Sequence, residues 1–204
     1  MNKIKLIGYS GHGLVCAEIA QLNNLDTVGY FDNNEKPINP FQIEYLGIDN
    51  DDLFDESIFI AIGDNKIRSN LFSKYTLKNN LNFNLIHPTA SISRKIEIGY
   101  GNIICSNAII NTLAIIGNGI IVNSGAIIEH ECQIKNFSHI APGAVIAGNV
   151  LIGERTFIGA NATLKQGVKI GNDVIIGAGT VIINDIPDNC TVVGNPGKII
   201  KTKI

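Results

Sequence analysis

The sequence predicts two architectures in one chain: an α/β domain with a small parallel sheet over residues 1–85, then a parallel β-helix over residues 86–204. Three observations carry this. Strand-like and helix-like runs alternate in the first half. From Ile86 onward an aliphatic residue recurs at every sixth position. The composition leans to Ile, Asn and Gly, with 21 glycines and no tryptophan, which favours strands and tight corners over a helical bundle.

The first half opens with a β-run, Lys3 to Gly8, too short in its apolar stretch for a signal peptide. Gly11 to Asn23 follows helical spacing through Leu14, Val15, Ile19 and Leu22. Thr27 to Phe31 reads as a second strand and Ile58 to Ile62 as a third. Lys66 to Lys78 carries Ile67, Leu71, Tyr75 and Leu77 at helical spacing. Strand, helix and strand in this order imply a Rossmann-like parallel sheet flanked by helices.

In the second half the column Ile86, Ile92, Ile98, Ile104, Ile110, Ile116, Val122, Ile128 continues through Ile134, Ile140, Ile146, Ile152, Ile158, Leu164, Ile170, Ile176 and Ile182. That is 17 hexads in succession. Four residues after each aliphatic comes a small or β-branched residue, as in Ala108, Ala126, Ser138, Ala144, Thr156 and Ala162; Asn102 is the exception. One hexad cannot bury its own aliphatic. Three hexads form the sides of a triangular coil whose axis collects these side chains, and small residues fit the inner corners. An open sheet has period two and does not account for sixfold recurrence.

Bulk properties exclude some functions. The formal charge is −2, charged residues are 17% of the chain, and no basic stripe suggests a nucleic-acid partner. The basic end Lys198, Lys201 and Lys203 reads as solvated. No apolar run reaches the roughly 18 residues of a membrane span. Cys16, Cys105, Cys132 and Cys190 show no CxxC spacing, which points to reduced buried thiols in a cytoplasmic protein.

Two constellations carry chemistry. Gly8, Gly11 and Gly13 form a GxxGxG loop between a strand and a helix, where free N–H groups and the helix dipole suit a phosphate. Asp32 ends the next strand 19 residues after Gly13, placed for a ribose or a base. A tight turn followed by a strand-end Asp is the alternative. The second constellation is His130, between Glu129 and Glu131 inside the repeats. A carboxylate on one ring nitrogen fixes the tautomer and raises the basicity of the other. The two glutamates share a face if the segment is a regular strand, and part company if it is a coil corner. Cys132 sits at the small-residue position and reads as core, and a glycine corner such as Gly148 offers a backbone N–H to an oxyanion.

Three segments resemble one family: Ser10-Gly11-His12-Gly13-Leu14-Val15-Cys16, Ile60-Ala61-Ile62-Gly63-Asp64-Asn65 and Ile128-Glu129-His130-Glu131-Cys132. With the hexads, they resemble the hexapeptide-repeat acetyltransferases, in the branch acting on sialic acids and aminosugars. The resemblance implies a left-handed coil, against the usual crossover rule, and a homotrimer with acetyl-CoA between neighbouring prisms. It implies that His130 is the general base and Glu131 its support. Gly11, His12, Gly13, Asp32, Asn33 and Gly63 would hold the nucleotide-sugar, and His139, Gly148, Ala160 and Ala178 would line the acetyl-CoA site. Asn33 departs from the pattern of a resembling relative that carries a second acidic residue there. The implied reaction is N-acetylation of a UDP-linked 4-amino-deoxysugar, without a metal, for surface glycan or glycoprotein synthesis. The alternatives are a catalytically inert β-helix scaffold, against which the His130–Glu131 pair and the N-terminal domain argue, O-acetylation of a sugar, and a γ-type carbonic anhydrase. The latter needs three zinc-binding histidines, whereas only His130 and His139 lie in the repeats proper, with His87 at their edge. Gly194-Asn195-Pro196-Gly197-Lys198 resembles the segment that closes the coil stack in this family.

Overall fold

The computed structural model describes residues 3–49, 57–75 and 82–202. Strands β1 (Lys3–Ile7), β2 (Asp26–Phe31) and β3 (Ile58–Ile60) form a parallel sheet in the order β2-β1-β3. Helix α1 (Gly11–Leu22) follows β1, and α2 (Asn65–Tyr75) follows β3. Period-two alternation sends Ile4, Leu6 and Phe59 to the α1 side, with Cys16, Ile19 and Ala20. Ile7, Ile58 and Ile60 face the other way, with Phe72 and Tyr75 of α2.

The buried stripe of α2 differs from the sequence expectation. Arg68, Phe72 and Tyr75 are buried, while Ile67 is 52% exposed. The helix is therefore rotated one residue from its apolar pattern, because six acceptors draw the Arg68 guanidinium inward. Leu77 and Lys78 lie outside the described residues.

The repeats form a parallel β-solenoid of about six turns. Two-residue strands recur every six residues from β4 (Leu85–Ile86) to β20 (Val181–Ile182). Every third strand shares a face. Face one holds β4, β7, β10, β13, β16 and β19; face two holds β5, β8, β11, β14, β17 and β20; face three holds β6, β9, β12, β15 and β18. Partners lie 18 residues apart, as in Ile121↔His139 and His139↔Phe157. The second residue of each strand points inward, and from Ile104 to Ile182 this column is nearly inaccessible. Burying each such aliphatic contributes roughly 1.5–3 kcal/mol.

Corners repeat as strictly as strands. Every sixth residue from Gly101 to Gly179 has positive φ. Most are Gly, Asn or Asp, the residues that tolerate this region; Leu113, Glu131, Phe137 and Arg155 are not. Asn102 has a reason to sit at an inner corner. Its Nδ2 donates to Gly117 O (2.9 Å) and its Oδ1 accepts from Ile120 N (2.7 Å). Ser138 and Thr156 likewise donate to the carbonyls of Gly153 and Gly171, each at 2.7 Å.

Strand β21 (Cys190–Val193) adds parallel to β19, and β22 (Lys198–Thr202) returns antiparallel, covering the end of face one. The N-terminal domain docks on the outer side of the same face, where Leu85, Ile103, Cys105 and Ile121 join its core. Among the described residues no helix is long and apolar enough to cross a membrane.

Candidate active site

His130 and Glu131 lie in the corner between β11 (Ile127–Ile128) and β12 (Gln133–Ile134), where face two turns into face three. Alternation fails there because Glu131 is left-handed, with φ 62°. The two glutamates consequently part. Glu129 accepts from Asn111 Nδ2 (2.9 Å), while Glu131 Oε2 lies 3.0 Å from His130 Nδ1. The pair is solvent-accessible, with side chains 46% and 56% exposed. A carboxylate at Nδ1 favours the tautomer with its proton there, leaving the Nε2 lone pair free as a base.

Gly148 occupies the same corner one coil later, and the imidazole lies on it. A Cβ at Gly148 would sit 2.5 Å from His130 Cε1 and 2.6 Å from Nε2. Glycine is thus required by the ring and not by the backbone. Gly148→Ala is expected to fold normally, since a ring on a flexible side chain can swing away. If His130 works as a base, the variant should nonetheless lower kcat by about 10- to 100-fold through misplacement of the imidazole. Thermal melts and steady-state kinetics check both halves. Cys132, by contrast, is fully buried, with Sγ 3.1 Å from Ala147 O and its thiol pKa raised by burial. It is core.

The glycine loop is built as the sequence predicts. Ser10 caps α1 without a side-chain bond, leaving the first N–H groups of the helix open. Gly11 is exposed. Gly13 lets helix and loop approach, for its Cβ would meet Gly8 O at 2.6 Å. Asp32 is committed partly to structure: Oδ2 accepts from Tyr9 N (3.0 Å), and Oδ1 accepts from Asn33 N and pairs with Lys36 Nζ, both at 2.8 Å. Burial pushes its pKa up, but these donors outweigh it and hold the carboxyl below its ordinary value. Asn33 is exposed beside it.

Two further histidines meet at the domain seam. His139 projects from the outer side of β13 (His139–Ile140), edge-on to Phe157 at 5.0 Å, with Nε2 3.2 Å from Asn123 Nδ2. His12 faces it from α1, beside Gly63. Both imidazoles are held neutral, His12 with a pKa of about 4 and His139 of about 3, by burial first and the Arg68 charge second. His12 Nε2 and His139 Nδ1 are buried without a hydrogen-bond partner. A groove of about 320 Å³ opens next to them, lined by Gly63, Asn65, Lys66, Arg155, Phe157 and Ile175.

The predicted residues therefore form three groups. His12, Gly63 and His139 come together at the seam, with Gly11, Gly13, Asp32 and Asn33 at the loop above. Ala160 and Ala178 stack one coil apart on the corner between faces one and two. His130, Glu131 and Gly148 stand on the corner opposite face one, so the prism separates them from the glycine loop of the same chain. Sequence reasoning missed Arg68, whose only signal was a cation three residues after Asn65 on an otherwise amphipathic helix.

A family model described as the PglD N-terminal domain matches residues 3–75, and one described as bacterial transferase hexapeptide (six repeats) matches residues 149–184. Among solved structures, the acetyltransferase domain of PglB from Neisseria gonorrhoeae FA1090 in complex with acetyl coenzyme A is 34% identical. Its TM-score is 0.88, over 98% of this chain and 100% of that one. A histidine variant of perosamine N-acetyltransferase from Caulobacter crescentus, in complex with CoA and GDP-perosamine, is 31% identical with a TM-score of 0.91, over 98% of each chain. WeeI from Acinetobacter baumannii AYE, 24% identical with a TM-score of 0.84 over 98% of this chain and 100% of that one, shares the fold.

Proposed function

The chain belongs to the PglD-like hexapeptide-repeat acetyltransferases, and from that premise we propose that it N-acetylates a nucleotide-linked 4-amino-deoxysugar with acetyl-CoA. The observation that carries the reading is the His130–Glu131 pair, exposed on a corner where the next coil is trimmed to Gly148.

His130 Nε2 takes a proton from the sugar amine as its nitrogen attacks the thioester carbonyl. The C–S bond then breaks, and the imidazolium returns the proton to the departing thiolate. Glu131 stabilises the imidazolium. The Gly148 N–H has no acceptor among the hydrogen bonds of the described residues and is suited to the oxyanion. The thioester is already activated, so no acyl-enzyme is required.

One chain does not hold both halves of this site, and a homotrimer does. The outer row of face two is apolar, with Ile109, Ile127, Val145 and Val181 only partly covered. Packing three such faces around an axis brings the His130 corner of one chain to the Ala160–Ala178 corner of the next. The nucleotide-sugar then reaches across from the loop at Gly11–Gly13, Asp32 and Asn33, with His12 and Gly63. His139, Gly148, Ala160 and Ala178 line the path of acetyl-CoA. Light scattering at micromolar concentration should give three chains per particle; a monomer refutes the shared site. The buried free thiols Cys16, Cys105, Cys132 and Cys190 suit a reducing compartment, in keeping with a cytoplasmic enzyme.

UDP is the nucleotide proposed, and a surface glycan or glycoprotein the destination. A panel of UDP-, GDP- and dTDP-linked amino sugars with acetyl-CoA tests the substrate. An amide product supports the reading; an alkali-labile ester on a hydroxyl would make the enzyme an O-acetyltransferase.

A further inference from the structure

Arg68 is a buried cation that neither the glycine loop nor the hexads account for. It projects from the first turn of α2 and is 1% exposed. All five of its N–H donors are used. Nε donates to Gly119 O (2.7 Å), and Nη1 to Ile62 O and Gly63 O (both 3.0 Å). Nη2 donates to Asn65 Oδ1 (2.7 Å), Phe137 O (2.8 Å) and Ser138 O (3.4 Å). The acceptors are five backbone carbonyls and one amide, and Asp64 helps only through its field. Burial lowers the guanidinium pKa to about 10, so it stays charged at neutral pH.

Such a group is costly to desolvate, and a core of carbonyls without a carboxylate is a poor way to gain stability. What it supplies is geometry. Ile62 and Gly63 belong to the N-terminal domain, whereas Gly119, Phe137 and Ser138 are corner residues of the solenoid. A planar fork bonded to both sets fixes their separation as a flexible ammonium cannot. The two gripped segments are also the ones that present the histidines. His139 directly follows Ser138, and a Cβ on Gly63 would contact His12 Cβ at 3.9 Å. The buried His12 Nε2 and His139 Nδ1 stand at the joint the fork holds, the His139 ring beside the Gly63 backbone.

We propose that Arg68 is a positioning residue of the acyl-transfer site, locking the Gly63 loop to the His139 strand so that His12 and Gly63 meet the nucleotide-sugar in register with the acetyl-CoA path along the solenoid. This rests on the transferase reading above. Arg68 does not touch substrate; it acts through the Gly63 loop and the His12 imidazole beside it. Its charge also helps keep both neutral, so that each offers one donor and one acceptor. The other titratable groups at the seam are Asp64, before α2, and Cys16 on α1, whose thiol burial keeps protonated.

The test compares wild type, Arg68→Lys and Arg68→Gln by steady-state kinetics with acetyl-CoA and the best nucleotide-amino-sugar, alongside thermal melts and NMR titration of the imidazoles. Arg68→Lys keeps the charge and loses the fork. It is expected to raise KM for the sugar about tenfold and lower kcat/KM about 100-fold, with KM for acetyl-CoA changed less than about twofold. The titrations of His12 and His139 should stay where they are in this variant and move up in Arg68→Gln, by only part of their depression because burial is its larger cause. A folded Arg68→Lys with wild-type sugar kinetics, or with equal rises in both KM values, overturns the proposal. If neither variant folds, Asn65→Ala decides, because it removes the one side-chain acceptor of the fork and the Asn65 bond to Arg155 O. It should raise KM for the sugar about threefold, and wild-type constants would overturn the assignment. A wild type that transfers no acetyl group overturns the transferase reading, and Arg68's role falls with it. An active wild type beside an indifferent Arg68→Lys sinks the positioning role alone.

Discussion

Replacing His130 with alanine is expected to lower turnover by about 10²–10⁴-fold while leaving assembly and acetyl-CoA affinity near wild type. The side chain is half exposed on a corner and contributes little to packing, so its loss removes the base and not the fold. Glu131→Ala should cost less, because the imidazole remains but loses its tautomer partner at 3.0 Å. Removing Glu131 also relieves nothing at the backbone, since alanine tolerates φ 62° no better. Cys132→Ser should retain most activity, for the thiol is sealed in the prism and protonated. Rapid-quench and steady-state assays on the three variants separate these outcomes. Full activity in His130→Ala together with inactive Cys132→Ser would replace direct transfer by an acyl-thiol route.

Acidification is expected to destabilise the folded protein across a window that ordinary carboxylates do not explain. His12 and His139 have their pKa values depressed to about 4 and about 3, by burial first and by the Arg68 charge second. In the unfolded chain each imidazole takes up a proton near pH 6.5. Between about pH 6.5 and 4 the unfolded state therefore binds more protons, and stability falls as pH falls; above pH 7 both states are neutral and these histidines add no slope. The full effect is on the order of 3–5 kcal/mol per histidine at the acid end, comparable with the whole margin of many domains. Melting temperatures at half-unit steps from pH 7.5 to 4.5 measure it. His12→Gln and His139→Gln should each flatten the curve. Persistence of the full slope in both would assign acid lability to other groups. Asp32 and Asp49, whose carboxyls are held below their ordinary values, lose their contribution only at lower pH.

Much of this molecule was legible because its local period is its geometry. A hexad is one side of the prism, so the recurrence from Ile86 to Ile182 gave the strands, the inward column and the stacking together. The left-handed position at every sixth residue emerged only in the structure, since Leu113, Glu131, Phe137 and Arg155 interrupt its run of Gly, Asn and Asp. The loop at Gly8, Gly11 and Gly13 was readable too, because a strand, a tight turn and a helix start are contiguous.

What the sequence alone determined is therefore the column, the glycine loop between strand and helix and the adjacency of His130 and Glu131, each set by residues close in the chain. Only the tertiary structure decided which groups meet. Gly148 lies under His130 because the two are 18 residues apart, one full coil, and no shorter-range pattern pairs them. His12 meets His139, and Arg68 reaches Gly119 and Phe137, because the N-terminal domain docks on face one; its buried stripe is set by those carbonyls and not by the apolar spacing of α2. The same docking puts the prism between His130 and the loop. Contacts across coils and across the seam depend on long-range packing, where burial and hydrogen bonding outweigh local periodicity.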